Sequence, residues 1–300
     1  MTLFGNHPGE FAALLTAIFW TITALAFEAA GRRIGSLQVN LLRLVFGFIF
    51  LSLFNLIRGS QLFPADATPE NWLWLSLSGL VGIFMGDLFL FKSYTIIGSR
   101  FSMLIMTLVP PITAFFSFII LNEHLSLLHF LGMMLTFGGI SMAIFNRNGK
   151  GEKVSLKLAP AGLLYAIGGA VGQALGLVLS KRGLGSCDPF SATQIRVISG
   201  FAGFSVLITL MGRWPRIVEA ISDIRGMKPL TLGAFFGPFL GISFSLIAVR
   251  YTEAGIASTI MALTPVLIIA PAAIIYKEKV TFTEVAGAII SVGGVSLFFI

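Results

Sequence analysis

Apolar residues along this chain gather into ten blocks, roughly 10–30, 37–57, 72–92, 99–120, 127–146, 159–181, 189–211, 229–249, 256–276 and 281–300, parted by short polar connections. Each block is near the ~20 residues that carry a helix across ~30 Å of hydrocarbon. Lipid offers backbone N–H and C=O groups no partners, so such runs must satisfy them internally as helices. The longest connections, 58–71, 147–158 and 212–228, are too short to hold a soluble domain. The pattern predicts an all-α integral membrane protein with ten transmembrane helices. The first block lacks a basic leading segment and a convincing cleavage site, so it reads as a membrane helix and not as a signal peptide.

Composition agrees. Hydrophobic residues make up 56% of the chain and charged residues 11%, with a mean hydropathy of +0.93. Soluble domains carry about 25% charged residues, and a chain this poor in charge cannot cover a water-facing surface. The formal net charge of +7 would suit a nucleic-acid partner, but its placement points elsewhere. Leaving out Arg43 and Arg196, which lie within helices, the connections after predicted helices 1, 3, 5, 7 and 9 hold fourteen Lys and Arg, and the other side holds four. Basic residues stay on the cytoplasmic side, which places both termini outside. The single cysteine, Cys187, rules out a disulfide framework or a cysteine-built metal cluster, and His7, His124 and His129 are scattered. No metal or other cofactor is expected.

The chain also repeats itself. A shift of 155 carries Gly82, Phe84, Gly86 and Phe89 onto Gly237, Phe239, Gly241 and Phe244. The same shift carries Ile105, Met106, Leu108 and Pro110 onto Ile260, Met261, Leu263 and Pro265, and Glu123 onto Glu278. A shift of 153 superposes "RLVFG" (43–47) on "RVISG" (196–200). The expected organisation is a first five-helix repeat over 1–146, a basic linker over 147–158 and a second repeat over 159–300. An odd helix count makes the second copy enter from the opposite side. Such inverted-topology repeats are a mark of secondary transporters, whose sites lie near the midplane between the halves.

Two five-helix halves, the "R-x3-G" of the second helix, the mid-helix Pro, then "LNEHLSLLHFLGMMLTFGGIS" and "YKEKVTFTEVAGAIISVGGVS" together resemble the EamA-like family of the drug/metabolite transporter superfamily. The resemblance covers essentially the whole chain. It implies alternating-access movement of a small metabolite or drug-like molecule, often export. It also implies a central cavity lined by helices 1, 3 and 4 of one half and 6, 8 and 9 of the other. The expected partners are that small-molecule substrate and the surrounding lipids, with protons an open candidate for coupling and a monomer the expected working unit. The expected location is a bacterial inner membrane.

Individual residues carry two readings each. Gly82–Gly86 and Gly237–Gly241 form G-x3-G steps that let helices approach closely, or that line a cavity; Gly138–Gly139 and Gly293–Gly294 read alike. Pro110, Pro111 and Pro265 remove a backbone bond and free the carbonyls of Met106, Thr107 and Met261. They are static kinks, or hinges that expose polar backbone to a substrate. Glu123 and Glu278 precede helix starts, where a carboxylate is favourable; they read as interfacial and structural, or as gate contacts. Trp20, Phe84, Gln173, Ser243 and Ser245 are polar or aromatic groups near mid-membrane and candidates for a cavity wall.

Asp87 is the costliest residue in the pattern, a carboxylate inside "GLVGIFMGDLFLFKSY". Arg43 lies about six or seven residues into helix 2, and Asp87 about five residues before the end of helix 3 at Lys92. The two therefore share a depth on antiparallel helices, and a charge-assisted pair offsets much of the burial cost. The repeat keeps the arginine as Arg196 but replaces the acid by Ile242. Asp87 is read as a structural ion pair, as a substrate or proton site, or as an acid snorkelling to the membrane edge. Among rivals, a membrane enzyme finds only a weak "FMGD" likeness to intramembrane aspartyl proteases, without a second helical Asp. HExxH, GxSxG and Walker motifs are missing from the sequence. A passive channel needs a polar face running the full depth, whereas polar residues here cluster near the midplane.

Overall fold

The computed structural model describes residues 7–59, 61–145, 160–269, 271 and 281–299. Among them every regular element is helical. Seven helices are long and apolar enough to cross a membrane: Pro8–Ile34, Ser36–Ile57, Pro69–Ser93, Pro160–Leu184, Pro189–Leu210, Ile224–Tyr251 and Phe282–Phe299. Val109–Leu121, Leu127–Ala143 and Ala254–Leu267 are shorter apolar helices.

Helix α1 (Pro8–Ile34) turns into α2 (Ser36–Ile57) through Gly35, whose φ of 87° only glycine adopts without strain. The third run opens on a capping box, in which Thr68 and Asn71 satisfy each other's backbone N–H. It continues as α3 (Pro69–Ser78), the π-helical segment π1 (Gly79–Gly86) and α4 (Asp87–Met106). The expected break near 93–98 is not a gap in helical backbone. The chain nevertheless reverses there. Ser93 Oγ donates to Ser102 Oγ at 2.7 Å, whereas nine residues of straight helix span about 13.5 Å.

The neighbouring α7 (Pro160–Leu184) shows both legs of this reversal. Asn71 bonds the carbonyl of Gly183, Gly162 lies on Ile97, and the returning chain brings Glu123 back to Lys181.

The returning leg is broken. A turn at 107–108 separates α4 from α5 (Val109–Leu121), and Pro110 stands in the first turn of α5. The second half repeats this: α12 (Ala254–Met261), a turn at 262–263, then α13 (Thr264–Leu267) with Pro265 in its first turn. The prolines thus open new helical segments and do not kink continuous ones. An opening position suits proline, because its missing N–H would have no helical acceptor there. The carbonyl of Met261 accepts the Thr264 hydroxyl at 2.9 Å, so it is not left bare as the proline argument expects.

The remaining elements are α6 (Leu127–Phe145), α8 (Pro189–Leu210), α9 (Trp214–Ser222), α10 (Ile224–Ala234), π2 (Phe235–Gly241), α11 (Ile242–Tyr251) and α14 (Phe282–Ser296), which runs on into a 3-10 turn (Leu297–Phe299). The connection expected over 212–228 is therefore largely helical. In α9, Ile217 and Ala220 are buried while Trp214, Val218 and Ile221 are exposed, the make-up of a helix lying at a membrane interface.

The two halves grip each other through matched contacts. On π1, Gly82 lies against Gly176 of α7 and Gly200 of α8 against Ile83; on π2, Gly237 lies against Thr23 of α1 and Gly47 of α2 against Pro238. Each half thus lays its first two helices on the π segment of the other. Small residues are required at these crossings: a Cβ on Gly176 would come within 2.5 Å of the Gly82 Cα. In the double-glycine motifs only Gly139 and Gly294 serve packing. Gly138 and Gly293 have nothing within 4 Å of an added Cβ.

Candidate functional site

The charged site lies where α2, π1 and α7 meet. Helix α2 carries Arg43 about 10 Å along its axis from the Gly35 turn, at 1.5 Å per residue. The i→i+5 bonding of π1 widens the helix just before Asp87, the kind of irregularity that re-aims side chains at functional sites. There the Arg43 guanidinium and the Asp87 carboxylate form an ion pair, their side chains 13% and 15% exposed. Gln173 Nε2 donates to the other Asp87 oxygen at 3.3 Å. The Phe27 ring lies 5.7 Å from Arg43 Cζ, within cation–π range. Asp87 therefore ties α2 and α7 to π1. Among the described residues Arg43 Nε has no hydrogen-bond partner.

The other half holds the matching arginine, with Ile242 at the position that matches Asp87. Arg196 on α8 is 6% exposed, and its Nε has no partner. Among the described residues it makes no hydrogen bond or ion pair. Its backbone rests on Gly79, and Nη2 lies 3.7 Å from where a Cβ on Gly82 would stand. Trp20 and Gln173 are also counterparts. Gln173 packs on Gly86 and Trp20 on Gly241, the second glycine of each G-x3-G step.

The other expected wall residues are dispersed. Phe84 packs on Gly203 and meets Phe204 edge-on at 5.1 Å, which makes it part of the helix packing. Ser243 is buried with its hydroxyl unpartnered, and Ser245 donates to the Ile242 carbonyl at 2.7 Å. Met106 and Thr107 stand at the break before α5. The structure thus brings together Arg43, Asp87 and Gln173, with Arg196 of α8 against the preceding stretch of π1 at Gly79 and Gly82.

Glu123 does more than cap its own connection. It forms an ion pair with Lys181 and accepts the Ala254 N–H at 2.9 Å, at the start of α12. Lys181 Nζ donates to the Thr252 carbonyl at 2.6 Å, and the Thr252 hydroxyl donates to Glu10 at 2.9 Å. This network joins the ends of α1, α5, α7 and α12 on one face of the bundle. Sequence reasoning singled out Glu123 but counted Lys181 only as a loop base. It also passed over Gln194, fully buried on α8, which donates to Ser52 and to the Leu62 carbonyl at 2.8 and 2.9 Å. A Gln on an otherwise apolar helix was the available signal for Gln194. Glu278 lies outside the described residues.

Two groups outside the spans have shifted ionisation. Burial, then the Asp188 charge, pushes the Cys187 thiol up from 9.0 to about 11. Asp223 caps α10 and receives the Arg33 Nε–H at 3.1 Å. That hydrogen bond, followed by the one from the Gly226 N–H, holds its carboxyl below the usual range.

The sequence profile of the EamA-like transporter family matches residues 7–145 and again 160–300. Two Bacillus subtilis (strain 168) proteins named as uncharacterized transporters are similar. YvbV is 26% identical over 192 residues, 63% of this chain and 59% of its own length. YcxC is 29% identical over 126 residues, 42% of this chain and 39% of its own. These matches span about three fifths and two fifths of the relatives' lengths. A solved structure described only as "Crystal structure of protein" superposes with a TM-score of 0.80 at 18% identity, over 98% of this chain and 96% of that one, which shows a shared fold. With its profile matched over both halves, this chain is a member of the EamA-like transporter family, in the drug/metabolite transporter superfamily, and an integral membrane protein.

Proposed function

We propose that the protein is a secondary transporter that moves a small organic solute by alternating access, in the direction of export, in a bacterial inner membrane. In this reading ten transmembrane helices form two inverted five-helix repeats, 1–146 and 159–300, joined by the basic linker 147–158. Arg43, Asp87, Gln173 and Arg196 form the site, and Trp20 and Ser243 belong to its wall. Met106, Thr107 and Met261 mark the breaks in the helices opened by Pro110, Pro111 and Pro265, where the two halves rock. The observation that carries the reading is the matched crossing of the halves, each half carrying a π segment and a broken helix. Discontinuous helices near the midplane are where such carriers hold their solutes.

Asp87 is the group through which protons would be coupled, since protonating it breaks the ion pair with Arg43 and changes the charge of the site. The Glu123–Lys181–Ala254 network closes the face that the charge count places outside the cell, and it must part for release there. The test is flux of a labelled metabolite panel in proteoliposomes, with and without a pH gradient. Saturable, gradient-sensitive movement that Asp87→Asn uncouples is expected. Movement indifferent to both gradient and Asp87 ends the proton role, and cleavage of a membrane peptide would favour the enzyme reading.

A further inference from the structure

The membrane-embedded site does not balance its charge. It holds two guanidinium groups, Arg43 and Arg196, and one carboxylate, Asp87, which Arg43 and Gln173 already occupy. A lone charge buried in a bundle is strongly unfavourable. Arg196 is 94% removed from solvent by its 6% exposure, and among the described residues it has no hydrogen-bond acceptor. Its guanidinium lies beside the close crossing of π1 with α7, with Nη2 3.7 Å from where a Cβ on Gly82 would stand.

We propose that Arg196 is the seat of an anionic group of the transported solute, a monocarboxylate. The assignment rests on the transporter reading above and deepens it by naming the solute class. A guanidinium offers parallel N–H donors that match the two oxygens of a carboxylate. One negative charge brings the Arg43–Asp87–Arg196 set to neutrality. A phosphate monoester, carrying about −1.5 to −2 at neutral pH, overshoots it. The asymmetry of the repeat follows as well. The first half supplies its arginine with a resident acid, Asp87, and the second half leaves Ile242 in that place so that the solute supplies the acid.

The test uses the purified full chain in detergent free of anionic lipid, so that no headgroup phosphate competes. Thermal midpoints are measured with benzoate and phenylacetate against benzamide and phenylacetamide at constant ionic strength. The acids raise the wild-type midpoint and the amides do not. Arg196→Met, which removes an unpaired charge, has an equal or higher midpoint without probe and loses the response to acids. Arg196→Lys keeps the charge without the fork and binds the acids at least tenfold more weakly than wild type. Equal response to acids and amides in wild type, or an undiminished acid response in Arg196→Met, overturns the proposal. In proteoliposomes the two readings separate. If wild type and Arg196→Met move the neutral amides alike and neither favours the acids, the carrier stands and the carboxylate site falls. If acid binding is lost in Arg196→Met while wild type moves no solute, the anion site stands and the carrier reading falls.

Discussion

Thr136 and Ser291, 155 residues apart, face each other: each hydroxyl donates within its own helix, to the Gly132 and Gly287 carbonyls at 2.8 Å, and reaches its counterpart's carbonyl at 3.3 and 3.5 Å. The spacing equals the shift that superposes the repeats, so each residue meets its own counterpart. The axis relating α6 to α14 passes between them. Around it the glycines meet reciprocally, with a Cβ on Gly139 reaching 2.6 Å from the Gly287 carbonyl and one on Gly287 2.6 Å from that of Gly139.

This crossing predicts opposite outcomes for adjacent glycines. Gly139→Ala must force backbone apart and is expected to cost about 1–3 kcal/mol. Gly138→Ala meets open space and should be neutral or stabilising by up to about 1 kcal/mol, since alanine is the better helix former. Thermal midpoints of the two variants check this, and equal midpoints would contradict the crossing.

For Arg43 and Asp87 the expected outcome is a coupled pair. Asp87→Asn leaves the Arg43 charge half-answered and lowers stability by less than the about 3–5 kcal/mol of a stranded buried ion, because the amide oxygen still accepts. Adding Arg43→Leu restores most of that loss. A double-mutant cycle reads the coupling directly, and an additive result means that the pair contributes nothing.

The outer network gives a conformational prediction. Glu123→Gln removes the charge facing Lys181 and weakens the bond to the Ala254 N–H, so the predicted outer face should open more often. Spin labels on the exposed residues Asn122 and Tyr251 should report a longer distance population in Glu123→Gln. An unchanged distance distribution argues that the network is static.

Cys187 offers a built-in reporter. With the thiol at about 11, little thiolate exists at pH 8, and maleimide labelling should accelerate about tenfold per pH unit up to that value. Asp188→Asn removes the second cause of the shift and should speed labelling at pH 8. The sign for stability is the reverse of a carboxylate's. Between 9.0 and about 11 the unfolded thiol ionises while the folded one does not, so alkaline pH in that window favours unfolding.

Much of the scaffold was legible because lipid enforces it. Long apolar runs must be helices, and the repeat was visible as matched residues 155 apart, Pro110 with Pro265 among them. Irregular backbone was not legible. The π segments over 79–86 and 235–241 leave no periodic signature in runs that are apolar all round, and glycine steps alone do not announce them. The prolines signalled a disturbance but not its kind, because the same residue kinks a helix or starts one. The approach of Arg43 to Asp87 was readable from matched depth on antiparallel helices. The approach of Gln173 to the same carboxylate required knowing which faces of α7 and π1 meet, which local sequence does not encode. Glu123 and Lys181 belong to connections 58 residues apart, and only the packing of α5 on α7 joins them.

Solute counterflow tests the carrier account most directly. Proteoliposomes loaded with excess unlabelled solute, then diluted into trace labelled solute, should accumulate label transiently above its equilibrium level, because a site that alternates between faces exchanges inner for outer molecules. The overshoot should vanish in an Asp87→Asn, Arg196→Met double variant. A label that enters wild-type vesicles monotonically, without overshoot, would show an open pathway and contradict alternating access around this site.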